Sequence, residues 1–210
     1  MPSPRRASLL KAKSSNVAIR QILELHFPKV TTAVDVTWGK GVFWKGIDHV
    51  VVVGCDIEMG RAKDVIADCT ALPFKDNSFD VGIIDLPFMH DTKPRSGTNL
   101  FRDYRGIGRS DEFIAMTVSG ARELARVVRL GYIIKCKNQV ERGAFRHIEA
   151  ELVSSLGHPL DVLEFLPDVT LQNDPKWKTV NHFRNVVSKF LIYAAPKQRG
   201  SEKPRVRVCN

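Results

Sequence analysis

The sequence predicts an α/β fold in which helices cover both faces of a mostly parallel sheet with an antiparallel edge strand. Three observations predict it. Short apolar, β-branched runs alternate with stretches of helical period, the pattern of successive strand–helix–strand units. Several runs break off at an acid (Asp56, Asp68, Asp85), as strands do where a parallel sheet presents its carboxyl ends to a ligand. The last two runs, Leu160 to Phe165 and Val186 to Ala194, have no helical pattern between them and suit an antiparallel pair at one edge.

The elements follow in order. Residues 1–14 are polar, basic and Pro/Ser-containing, and are expected to form a disordered arm. Ser15 or Asn16 caps a helix to about His26, with Val17, Ile19, Ile22, Leu23 and Leu25 as its apolar positions and Pro28 beyond its end. Thr32 to Val36 is a short strand, followed by the turn Thr37-Trp38-Gly39-Lys40-Gly41. Val50 to Cys55 is the second strand and ends in Asp56; Val65-Ile66-Ala67 is the third and ends in Asp68. Roughly ten residues separate these two, too few for a full crossover helix, so a helix there is short or absent.

Val81-Gly82-Ile83-Ile84 is a buried strand that stops at Asp85-Leu86-Pro87-Phe88, because Pro87 has no N–H to donate. Residues 89–110 lack periodicity and read as a basic loop. Ser110, with Asp111 and Glu112 after it, caps a helix to about Arg129 that Gly131 stops. Tyr132 to Cys136 is the next strand, Arg142 to Leu156 the next helix, and Pro167 to Asn185 a polar connection. The segment 15–196 is thus one domain, with a basic tail at 197–210.

The net charge of +9 is unevenly placed. Cations gather in 1–13 (Arg5, Arg6, Lys11, Lys13), in 89–110 (Lys93, Arg95, Arg102, Arg105, Arg109) and in 197–210 (Lys197, Arg199, Lys203, Arg205, Arg207), around a nearly neutral core. That distribution suits a polyanion such as nucleic acid; the plainer alternative is that basic tails aid solubility. No apolar run reaches membrane-span length and Met1 to Ser15 has no signal-peptide core, so the expectation is a soluble cytoplasmic protein without a membrane partner. Cys55, Cys69, Cys136 and Cys209 are widely spaced, which argues for free thiols and against a metal site. Nothing in the sequence fixes the oligomeric state.

The chemistry gathers at the strand ends. Gly39 and Gly41 make a tight turn directly after a strand, and glycine accepts the positive φ such turns require. Asp56 is placed to accept both hydroxyls of a ribose and Asp68 an adenine amino group, while no Lys-Ser phosphate loop is present. A pocket for an adenosine-bearing ligand without phosphates follows. Asp85, free backbone carbonyls and the ring of Phe88 together suit a planar heterocycle carrying an amino group. Plainer roles stand beside these: Trp38, Phe43 and Trp44 as core or pocket wall, Asp68 as a turn acid, Tyr104 as an exposed loop residue, His182 and Arg184 as connector.

With these motifs the chain resembles the class I S-adenosylmethionine-dependent methyltransferases, in particular the amino-methylating DNA enzymes acting on adenine N6 or cytosine N4. Asp35-Val36-Thr37-Trp38-Gly39-Lys40-Gly41 is similar to their D-P-F-x-G-x-G cofactor motif, with Val36-Thr37 where the family has Pro-Phe. Asp85-Leu86-Pro87-Phe88 resembles their D-P-P-Y/F catalytic motif, with Leu86 in place of the first proline. The stretch Leu72-Pro73-Phe74 to Phe79-Asp80-Val81 is similar to that of many class I methyltransferases, small-molecule ones included.

The resemblance implies a single Rossmann-like methyltransferase domain of the seven-stranded type. It implies S-adenosylmethionine at Asp35, Thr37, Trp38, Gly39, Gly41, Asp56, Ile57, Asp68 and Cys69, and catalysis by Asp85, Leu86, Pro87 and Phe88. It further implies nucleic-acid contacts, DNA before RNA, from Lys93, Arg95, Arg102, Tyr104, Arg105 and Arg109, with a flipped base and no metal. The alternatives are an RNA or tRNA guanine-N2 methyltransferase, a non-catalytic nucleic-acid-binding protein on the same fold, and a small-molecule methyltransferase.

Overall fold

Phe79–Ile84, strand β4, is buried at every position, because sheet neighbours flank it and apolar layers cover both its faces. The computed structural model describes residues 14–87, 109–141, 144–165 and 187–196. Around β4 lie β1 (Thr32–Asp35), β2 (Val51–Asp56), β3 (Val65–Ile66), β5 (Val128–Cys136), β8 (Asp161–Phe165) and β9 (Ser188–Ala194), in the spatial order β3-β2-β1-β4-β5-β9-β8. The β3 to β5 pairs are all parallel, whereas β9 runs antiparallel to both β5 and β8. The antiparallel pair expected at one edge is therefore β8 with β9. Strand order reverses between β1 and β4, and in open parallel sheets that reversal opens a crevice at the carboxyl ends.

One face of the sheet is covered by α1 (Ser15–His26) and a single 3-10 turn, Val42–Trp44. Ala18, Ile19, Ile22 and Leu23 recur at helical spacing on the buried side of α1 and pack with Phe43, Trp44, Val81 and Ile133. The opposite face is covered by α2 (Ser110–Val127) and α3 (Ile148–Leu156), which bring Phe113, Leu124, Ile148 and Leu152 onto Ile84 and Ile134. No helix is assigned between β2 and β3, in line with the short connection there. Among the described residues no helix is long and apolar enough to cross a membrane.

Asp80 is the polar exception inside β4. Its Oδ2 accepts from the backbone N–H groups of Thr31 and Thr32 at 2.9 and 3.0 Å, and Arg129 forks onto Oδ1 at 2.7 and 3.2 Å. Burial alone would raise this carboxyl, but these bonds outweigh it and hold the group well below the usual carboxylate range. The bonded acid secures the approach of β1 to β4, the two strands that border the crevice.

Four boundaries differ from the sequence reading. Helices α1 and α2 are capped one residue earlier than expected, at Ser14 and Arg109. Helix α2 ends at Val127 and passes directly into β5, so Gly131 lies inside a strand instead of stopping a helix. A side chain there would meet the Tyr193 carbonyl at 2.3 Å and the Phe27 ring at 2.7 Å, which explains the glycine. The expected helix from Arg142 begins only at Ile148; before it stands a hairpin of β6 (Gln139–Glu141) and β7 (Ala144–Arg146). Arg146 pulls that hairpin onto the helices through Asp111 at 2.8 Å and Glu151 at 3.0 Å, contacts between distant segments that local pattern does not record.

Gly131→Ala is expected to cost about 2 kcal/mol or more of unfolding free energy, since backbone must shift to admit a methyl group. Gly60→Ala, with open space around the added carbon, should stay within about 0.5 kcal/mol of wild type. Chemical denaturation of both variants measures the difference.

Candidate active site

Asp35 is the last residue of β1, and Asp85 follows directly on β4, so the two acids flank the reversal of strand order. Asp35 is buried, and both its oxygens are engaged from within. Trp44 Nε1 donates to Oδ2 at 2.9 Å, and the Thr37 N–H to Oδ1 at 3.1 Å. Burial pushes its carboxyl up to about 7 against those bonds, with the nearby charge of Asp85 adding to the rise. Thr37 joins the two acids: its hydroxyl accepts the Asp85 N–H at 2.8 Å and lies 3.5 Å from Asp35 Oδ1. A phenylalanine at position 37, as in the motif it resembles, offers no such acceptor.

The turn after β1 is tied to β2. Trp38 N–H donates to the Cys55 carbonyl at 2.8 Å, and Gly39 N–H to Asp56 Oδ2 at 3.0 Å. Gly39 and Gly41 have φ of 54° and 61°, as the tight turn requires. The Trp38 ring fills the space beside Gly41 and Gly54, where an added methyl would fall 2.4 and 2.5 Å from it. Lys63 Nζ stands 5.3 Å from the same ring, so Trp38 is a pocket wall held on several sides.

Further along this edge, Asp56 Oδ1 accepts the Glu58 N–H at 3.0 Å, and Ile57 beside it is 68% exposed. Asp68 is exposed just beyond β3, where its Oδ1 accepts from the N–H and hydroxyl of Thr70 at 2.8 and 2.7 Å, a turn role as well as a place at the strand end. Cys69 is buried, and burial pushes its thiol up to about 12, so it is neutral near pH 7. Cys55 and Cys136 are likewise buried free thiols.

Asp85 retains 21% side-chain exposure and receives Lys135 Nζ on Oδ2 at 2.9 Å. Burial raises its carboxyl and Lys135 opposes the rise. The partner comes from β5: Ile84 pairs with Ile134, so the next residue of each strand, Asp85 and Lys135, meet at the sheet's end. Sequence reading passed over Lys135. The signal was there, a lone cation closing the apolar run Tyr132-Ile133-Ile134. Leu86 is buried and Pro87 half-buried beside it.

The site as described brings Asp35, Thr37, Asp85 and Lys135 into one hydrogen-bonded group and Trp38, Gly39 and Asp56 into a second, with Ile57 and Asp68 exposed beyond. Arg109 is exposed at the start of α2, 3.4 Å from Asp111. Phe88, Lys93, Arg95, Arg102, Tyr104 and Arg105 lie outside the described residues, as do the arm before Ser14, the connector 167–185 and the tail 197–210. Among the described residues no cluster of His, Cys, Asp or Glu could hold a metal ion.

No protein-family model and no curated protein matches this chain. Solved structures do share its fold. A SAM-dependent methyltransferase from Methanosarcina mazei is 12% identical, with 82% of this chain and 96% of that one covered at a TM-score of 0.53. An rRNA methylase from Streptococcus thermophilus is 9% identical over 90% and 100% of the two chains, TM-score 0.52. A putative rRNA-methylase from Clostridium thermocellum is 14% identical over 88% and 100%, TM-score 0.51. Two further solved neighbours are matched over 61% and 64% of their own length. The chain therefore has the Rossmann-like fold of class I methyltransferases.

Asp35 supplies a test by pH. A carboxyl near 7 in the folded chain and 3.8 unfolded favours folding below pH 4, and that contribution is lost as pH rises through 7. Between pH 4 and 8 wild type should lose up to ~4 kcal/mol of unfolding free energy relative to Asp35→Asn, which cannot ionise. Denaturant titrations of both proteins across that range give the difference, and parallel curves would refute it.

Proposed function

We propose that this chain is an S-adenosylmethionine-dependent methyltransferase acting on an exocyclic amino group of a nucleic-acid base, with adenine N6 or cytosine N4 in DNA as the first acceptors. The observation that carries this is the Asp85 carboxylate, partly exposed at the carboxyl end of β4 beside the strand-order reversal. The carboxylates near the ends of β1, β2, β3 and β4 also suit a cofactor that is a cation. Asp56 would take the ribose hydroxyls, the exposed Ile57 would cover the adenine face, and Asp68 would accept its amino group. A large apolar side chain left outside the core next to an acid supports that fit.

S-adenosylmethionine, when bound, supplies an electrophilic methyl carbon whose bond to sulfur breaks as the amino nitrogen attacks. The protein's task is to make that nitrogen available, because its lone pair is delocalised into the ring. Asp85 accepts one N–H and the Leu86 carbonyl the other, which favours a pyramidal nitrogen and aims the freed pair. The surplus proton then passes to Asp85 or to water. Positioning and electrostatics account for the acceleration without a covalent intermediate. Reaching such an atom in a duplex requires extruding the base, at a few kcal/mol of lost stacking. The cations of 89–110, directly after the catalytic strand, would hold the distorted backbone through its phosphates.

RNA is the second acceptor class, favoured by Leu86 where the DNA motif has its first proline. Activity on RNA with none on duplex DNA selects it.

Asp85→Ala and Asp85→Asn should each lower methyl transfer by about 10²–10³-fold while leaving cofactor affinity within a few-fold. Undiminished turnover in folded protein removes Asp85 from the chemistry. Asp56→Ala should do the reverse, weakening cofactor binding by calorimetry; unchanged affinity excludes the assigned ribose contact. Arg102→Ala with Arg105→Ala should flatten the salt dependence of nucleic-acid binding.

A further inference from the structure

We infer that Lys135 is a positioning residue for Asp85: its ammonium, 2.9 Å from Oδ2, fixes the carboxylate's orientation and keeps it ionised, so that the other oxygen is offered to the substrate amino group. The inference rests on the methyl-transfer function proposed above and adds to it a residue outside both motifs. Three observations converge on Lys135. It ends an otherwise apolar strand run, where a buried ammonium is costly unless paired. It is only 16% exposed, and the Phe43 ring lies 5.2 Å from Nζ, which restrains a long side chain with many rotamers. The register of β4 on β5 places it beside Asp85 whatever its rotamer.

The charged and titratable groups around Asp85 make the role specific. From β1 comes Asp35, linked through Thr37, and its carboxyl takes up a proton near neutrality. From β5 come Lys135 and the Cys136 thiol, which burial pushes up to about 12 and keeps neutral. Among these described neighbours Lys135 carries the positive charge. Burial drives Asp85 toward its protonated form, and a protonated carboxyl is a poorer acceptor of an N–H. The ammonium opposes that drive.

The test compares wild type with Lys135→Met, Lys135→Gln and Lys135→Arg. Two readouts are used: carboxyl carbon-13 resonance titration of Asp85, assigned with Asp85→Asn, and the pH profile of methyl transfer. In either neutral variant the Asp85 midpoint should rise by about one pH unit or more. The acid limb of the rate profile should move alkaline with it. Transfer near pH 7 should fall roughly tenfold and recover toward pH 9. Lys135→Arg keeps the charge and should hold the midpoint within about half a unit. A midpoint that stays put in a folded neutral variant overturns the inference, as does a rate loss equal at every pH. If wild type methylates no nucleic acid, the acceptor assignment falls, and the titration still decides whether Lys135 governs Asp85.

Discussion

The account depends on the junction of β1, β4 and β5, where the Asp85 backbone N–H is held by the Thr37 hydroxyl and its carboxylate by Lys135. Three adjacent strands thereby fix one acid at the place where strand order reverses. Neither bond is strong alone: a neutral hydrogen bond contributes on the order of 1 kcal/mol, and a half-buried ion pair is partly offset by desolvation. Their value is geometric. An acid on a loop would sample many orientations, whereas one closing a fully buried strand inherits the rigidity of the core behind it.

Two acids side by side behave differently because their surroundings differ. Asp35 is enclosed by Trp44 and Thr37 and faces no cation, so burial dominates and its carboxyl reaches about 7. Asp85 is as constrained but pairs with an ammonium and keeps some contact with solvent. Asp35 therefore serves as the structural partner of the turn, and Asp85 as the group a ligand can reach. Pairs of acids driven apart by environment are a common basis for dividing roles within one site.

Much of the sheet was legible in the sequence because its strands are covered on both faces and so are nearly continuous apolar runs. The acids that end them were legible for the same reason: each contrasts sharply with the run before it. What the sequence concealed arose between distant segments. Gly131 resembles a helix stop, yet it is glycine because the Tyr193 carbonyl and Phe27 crowd it from other elements. The hairpin Gln139–Arg146 carries helix-forming residues, and ion pairs from Arg146 to Asp111 and Glu151 secure the extended form. Lys135 meets its partner only through strand register. Trp38 belongs with these, since the glycines around it accommodate an indole as well as a turn.

The most direct test of the central claim is nucleoside mass spectrometry after incubating the protein with methyl-labelled S-adenosylmethionine and a mixture of duplex DNA and RNA. A label on adenine N6 or cytosine N4, abolished by Asp85→Asn in protein that remains folded, is the predicted result. Label on no nucleoside, or label that persists unchanged in Asp85→Asn, would contradict it.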